Sequence, residues 1–172
     1  MLSVEEYHRL DEFNERGKRT ELIRGIVIEK MSKSPLHSAI VSLLYRLFLA
    51  RVPAGLTVWQ EQPLTFVDSE PEPNISVTRG SERDFLKAHP ATAELVVEVA
   101  VASPALDREN ASLYAEAGVK EYWIVLGRER QVEVYRRAES GRYQEKRLFS
   151  ANDTIECSSV PGVRIQVAEM FG

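Results

Sequence analysis

The chain has 172 residues, 44% of them hydrophobic and 28% charged, which suits one soluble domain over residues 1–172 with a sizeable core. Its 22 basic and 26 acidic residues give a net charge of −4, which excludes a global positive field drawing it to nucleic acid while leaving room for a local basic face. The single cysteine, Cys157, excludes an internal disulfide; with neither a signal-like start nor an apolar run of bilayer length, the expectation is a cytoplasmic protein with no membrane partner.

Ser3-Val4-Glu5-Glu6 fits a capping box and predicts a first helix to about Phe13, stopping before the polar Asn14–Lys18. Thr20 to Met31 reads as a hairpin of two short strands, with Gly25 supplying the positive φ of a tight connection. From Leu36 to Arg51 the apolar Ile40, Val41, Leu43, Leu44, Leu47 and Phe48 recur every three or four residues, the mark of the longest amphipathic helix. Strands are expected at Thr57–Glu61, Leu64–Val67 and Ile75–Val77, separated by turns at Pro63 and at Glu70-Pro71-Glu72-Pro73. Ser81 is placed to cap a short helix to about Ala88, before Pro90.

"LVVEVA", Leu95–Ala100, is then a buried strand, and Ala105–Ala117 a helix that Gly118 closes. "EYWIVL", Glu121–Leu126, is a second buried strand, and a strand–helix–strand crossover makes the two parallel. The tail alternates as antiparallel strands at Val132–Tyr135, Tyr143–Phe149 and Val163–Val167, with turns at Ser140-Gly141 and Pro161-Gly162. The fold class is therefore α/β, a mixed β-sheet flanked by α-helices with an antiparallel C-terminal hairpin.

Within "LVVEVA" the carboxylate of Glu98 stands in an otherwise apolar run, where burial forces it to acquire a partner, a metal or a proton. A run of basic residues at Arg128, Arg130, Arg136, Arg137, Arg142, Lys146 and Arg147 could grip phosphates, but Glu129, Glu133, Glu139 and Glu145 interleave it, which favours a solvated hairpin face. His37 starts the long helix without a second histidine or a cysteine at metal-ligand spacing, and is left out of the site.

With "EPEPNISV" (Glu70–Val77), "LVVEVA" and "LDRENASLYAEAGVKEYWIV" (Leu106–Val125) in view, the chain resembles the Uma-two family of restriction-endonuclease-like proteins in the PD-(D/E)XK nuclease superfamily. The match runs in order from "TELIRG" through Pro35 and His37 to the terminal "VPGVRIQVAEMF", and "YAEAGVKEYWIV" is its most specific part. The resemblance implies a restriction-endonuclease-like core, DNA as partner, phosphodiester hydrolysis, magnesium as the metal, no small-molecule cofactor, and a homodimer, since two cuts on a duplex call for two sites. In that family an aspartate follows "EP" and joins the strand glutamate in holding the metal, and a lysine completes the site. Here the glutamate is Glu98, the aspartate position holds Asn74, the superfamily lysine position holds Ala100, and the helix position where the family commonly carries its lysine holds Asn110.

Two carboxylates hold a hard cation, the cation activates water and polarises the phosphate, and an ammonium group faces the developing negative charge. An amide at 74 keeps an oxygen but loses a charge, and an amide at 110 loses the cation. The resemblance thus places Glu98, Asn74 and Asn110 at the catalytic positions and Glu98, Asn74 and the nearby Glu72 as metal ligands, and implies magnesium binding that is weak or lost; it offers Glu21 as a further acid, although a place in a short strand favours a solvated residue there. Two expectations remain open: residual hydrolysis using Glu98 with a substitute acid such as Glu72, or a non-enzymatic nucleic-acid- or protein-binding module on the nuclease fold.

Overall fold

The structure is a computed structural model describing residues 1–14 and 17–172; part of the expected Asn14–Lys18 connection lies outside the described residues. Its centre is a six-stranded sheet in the order β3 (Leu56–Gln60), β4 (Ile75–Arg79), β5 (Leu95–Ala100), β6 (Glu121–Leu126), β7 (Gln131–Glu139) and β8 (Arg142–Phe149). Only β5 and β6 are parallel, as the crossover between them predicts; the other pairs are antiparallel. This is the mixed sheet with flanking helices that the chain's periodicities imply.

Side chains alternate across the sheet and so define two cores. Leu95, Val97 and Val99 of β5, with Val125 and Trp123 of β6, face α2 (Pro35–Arg51), where Phe48 meets the Trp123 ring at 5.7 Å between centroids. Val96 and Ala100 face the other way, toward Tyr114, Tyr122, Ile124 and Tyr135. Glu98 shares that second face by the same alternation. A two-stranded hairpin, β1 (Thr20–Ile23) with β2 (Ile26–Glu29), turns through Arg24 (φ 48°) and Gly25 (φ 74°), the paired positive φ of a tight hairpin. It docks on the chain at 68–72, where Glu70 N–H donates to Leu22 O at 2.7 Å.

Four expectations need correction. The first helix, α1 (Val4–Asp11), keeps its Ser3/Glu6 capping box but ends at Asp11, leaving Phe13 exposed. Leu64–Val67 is not a strand: its amides turn inward on their own loop and its surroundings, Leu64 N–H to Pro71 O and Phe66 N–H to Ser69 O, so Leu64 is buried without any ladder. Pro63, Pro71 and Pro73 cannot donate, which removes the pairing a strand needs there. The helix after Ser81 is one 3₁₀ turn, Glu82–Phe85.

The helix expected over Ala105–Ala117 is two short ones, α3 (Ala105–Glu109) and α4 (Ala111–Glu116), joined at Asn110. Asparagine competes with the backbone for hydrogen bonds, and here ψ opens to −8°. Leu106 is accordingly half exposed and does not extend the buried stripe of Leu113 and Tyr114. At the end of the chain β10 (Arg164–Gln166) pairs with β9 (Thr154–Glu156), a strand too short for its alternation to be read.

Candidate functional site

Asn74 stands directly opposite Glu98, one step beyond the last paired residues of the β4–β5 ladder, Ile75 and Val97. The ladder continues there through side chains: the Asn74 N–H donates to Glu98 Oε2 at 3.2 Å, and Asn74 Oδ1 accepts the Val99 N–H at 2.8 Å. The other carboxylate oxygen, Oε1, accepts the Tyr114 hydroxyl at 2.9 Å. Asn74 is buried, and Glu98 is partly accessible. The two residues that lie 24 apart in sequence are thus brought into contact.

Burial, then the charges of Asp107 and Glu21, push the Glu98 carboxyl well above the usual carboxylate range, against the opposing pull of Lys30 and Tyr114. Asp107 is pushed up to about 6, again by burial first and Glu21 second. Burial and the Glu98 charge hold the Tyr114 hydroxyl well above its ordinary value, so it stays a donor. The folded protein therefore binds these protons more tightly than the unfolded chain. Stability from them is greatest near pH 4 and falls as the pH rises through about 6 and beyond.

Replacing Glu98 with glutamine tests this. The amide keeps one acceptor, and Tyr114 can turn its hydroxyl to accept, so Glu98→Gln is expected to leave stability unchanged or raised by about 1 kcal/mol at pH 7.5. The advantage should vanish near pH 4 in thermal melts of wild type and variant. A loss of several degrees at neutral pH would instead make Glu98 one half of a structural ion pair.

Glu72 and Glu21 meet, but around a lysine. Lys30 Nζ donates to Glu21 Oε1 at 2.9 Å, to the Glu72 carbonyl at 3.0 Å and to Glu72 Oε2 at 3.3 Å. Glu21 Oε1 also accepts the Glu72 N–H at 2.7 Å, and Arg19 reaches Glu72 Oε2 at 3.2 Å. Glu21 is therefore not the solvated strand residue its place in a short hairpin suggests; its side chain is 18% exposed. His37 lies beside Asn74 with its Nδ1 buried and without a hydrogen-bond partner, and burial keeps its pKa below the ordinary value despite Glu61 and Asn74 nearby.

Asn110 lies one helical turn before Tyr114, whose N–H donates to the Asn110 carbonyl at 3.2 Å; the Asn110 side chain caps neither helix. Three of the seven basic residues pair with acids: Arg137 with Glu139 and Glu145, Lys146 with Glu133, and Arg136 with Glu121 of β6, while Arg130 and Arg147 lie over the Phe171 and Phe149 rings. A solvated hairpin face accounts for most of it.

Three contributors escaped the reading of the sequence: Lys30, Asp107 and Tyr114. The signals exist. The two-residue turn at Gly25 fixes the register Ile23 to Ile26, which puts Lys30 diagonally across from Glu21 on one face. Asp107 and Tyr114 lie three residues before and four after Asn110, so they follow from the helical repeat once position 110 is singled out.

The residues present do not offer a divalent ion an open set of oxygens. Both Glu98 oxygens and Asn74 Oδ1 already accept hydrogen bonds, and Glu21 and Glu72 hold an ammonium. Among the described residues no group of three or more His, Cys, Asp or Glu is placed to hold a metal. Also among them, no helix is long and apolar enough to cross a membrane.

A solved structure from Anabaena variabilis ATCC 29413, described as "a putative nuclease belonging to DUF820", superposes on this chain with a TM-score of 0.83 at 20% identity, covering 99% of this chain and 98% of that one. At that identity the likeness shows the fold. No curated protein matches the chain. The model of the Uma2 family, described as "Putative restriction endonuclease", matches residues 4–168, nearly the whole sequence. The chain belongs to the Uma2 family.

Proposed function

We propose that residues 1–172 form one nuclease-fold domain in which cleavage of DNA is impaired or lost, because Asn74 and Asn110 replace the aspartate and lysine that the family resemblance places there. The observation that carries this reading is the lock between β4 and β5. The Asn74 side chain is spent on the Val99 N–H, and its backbone N–H on Glu98, so the pair acts as a strand clamp. With one charge in place of two, the site has little to hold a hard dication, which prefers anionic oxygens in near-octahedral array. Losing one electrostatic group at a reacting centre lowers the rate by roughly a hundred- to a thousand-fold, and here both kinds are missing.

The test is calorimetric titration of magnesium into the wild-type protein. Binding should be millimolar or weaker. Micromolar binding that disappears in Glu98→Ala would return the chain to the metal-dependent nucleases, and micromolar binding that survives Glu98→Ala would move the metal elsewhere.

A second reading, a nucleic-acid-binding module, draws support from the surface beside the acids. A cleft of 720 Å³ is lined by Arg19, Lys33 and Glu29 and shares Arg19 with a cleft of 640 Å³ that contains Tyr45, Trp59 and Glu61; Arg19 is paired with Glu72 and Lys33 with Glu61, so a phosphate would have to displace these acids. Cations beside aromatic rings suit a phosphate backbone with stacked bases. The net charge of −4 works against it, so such binding would be local and sensitive to salt.

A further inference from the structure

We infer that Lys30 is the built-in counter-cation of the acidic cluster, its ammonium filling between Glu21 and Glu72 the charge role a divalent ion would otherwise take. An ammonium has three donors and no acceptor, and here all three are used: Glu21 Oε1, the Glu72 carbonyl and Glu72 Oε2. The lysine side chain is 17% exposed, and its two acids are 18% and 25% exposed, so the group is shielded from most solvent screening. All three partners are acceptor oxygens, the set that an ammonium with three donors requires.

The placement is fixed by the fold. Lys30 extends β2 by one rung, its N–H donating to Arg19 O at 2.9 Å, which sets its stem on the face that Glu21 occupies. Glu21 in turn accepts the Glu72 N–H, tying the loop before β4 to the hairpin. A magnesium ion entering here would have to break three hydrogen bonds and lie next to a like charge. Electrostatics at partly buried sites makes that arrangement unfavourable.

This inference rests on the reading that wild type holds no catalytic metal, and its test separates the two. Manganese, the more tolerant dication, is titrated into wild type, Lys30→Met, Lys30→Arg and Lys30→Met/Glu21→Gln, with thermal melts in chelator and in manganese. Methionine keeps an unbranched stem of similar length without the charge. Lys30→Met should melt lower than wild type in chelator, recover with manganese, and bind it at least about tenfold more tightly. Lys30→Arg should behave as wild type, and Glu21→Gln should erase the gain.

A folded Lys30→Met that binds manganese no better than wild type overturns the inference and leaves the proposed function standing. Tight binding by wild type sinks the proposed function first. Should Lys30→Met fail to fold, the native protein still decides: the ¹⁵N resonance of the Lys30 ammonium should persist through a millimolar magnesium titration. Its loss at micromolar magnesium would show that the ion displaces the lysine.

Discussion

Plasmid nicking that depends on magnesium should appear when both missing charges are restored together, in Asn74→Asp/Asn110→Lys, at least about a hundred-fold above wild type. The scaffold favours both changes. An aspartate at 74 keeps the oxygen that accepts the Val99 N–H, so the clamp survives while its second oxygen brings a charge opposite Glu98. A lysine at 110 starts one helical turn before Tyr114, the residue whose hydroxyl already touches Glu98. The new carboxylate also tips the competition with Lys30 toward a divalent ion.

Neither substitution should suffice alone. Aspartate without lysine attracts a metal but lacks the ammonium, while lysine without aspartate meets an incomplete ligand set, so the effects should be strongly non-additive. Cutting by the double variant must vanish on Glu98→Ala. Equal activity in one of the single variants would mean that the two asparagines are not jointly responsible.

The largest loss of stability is expected at Glu121, far from this chemistry. Its carboxylate is fully buried and accepts five hydrogen bonds: from Trp123 Nε1 and Arg136 Nε on one oxygen, and from Cys157 Sγ, Ser158 Oγ and the Ser159 N–H on the other. It fastens the segment after β9 to the start of β6. Burial alone would raise its pKa, but the hydrogen bonds from Trp123 and Arg136 prevail and hold it below the usual range.

Glu121→Ala leaves the Arg136 guanidinium, which is 21% exposed, without a carboxylate and with only the Glu156 carbonyl as partner, and strands four other donors. The expected cost is about 3–5 kcal/mol, a melting-point drop on the order of 10 °C. The folded-state pKa is depressed, so this contribution is present above the unfolded value of about 4.3 and is lost as the pH falls through the folded value. Denaturant melts at pH 7 and pH 3 check both points: the gap between wild type and variant should narrow in acid. A gap that is small at pH 7 would mean that the arginine finds water or another acid at little cost.

The central strands were legible because they bury both faces: "LVVEVA" and "EYWIVL" are continuous apolar runs, and the sequence between them is long enough for a crossover. The long helix was legible through its three- and four-residue spacing. What misled was proline chemistry around Leu64–Val67, where an apolar run is buried without strand pairing, and the single asparagine that splits α3 from α4. Periodicity reports which residues are buried, not which hydrogen bonds satisfy their backbone.

The site divided in the same way. Glu98 announced itself as a charge in an apolar strand, and the contact between Glu98 and Asn74 followed the family register. The ammonium at Lys30 did not, because a lysine at the end of a short hairpin is unremarkable until the turn fixes its register against Glu21. Glu72 was expected beside Asn74 as a substitute ligand. Its side chain is bonded instead to Lys30 and Arg19.

The most direct measurement is the initial rate of plasmid nicking by the wild-type protein in magnesium, set against its own Glu98→Ala variant at equal concentration. The two should be indistinguishable, with any residual cutting unaffected by the substitution. Robust wild-type cutting that Glu98→Ala abolishes would contradict the account and establish a working nuclease with asparagine at position 74.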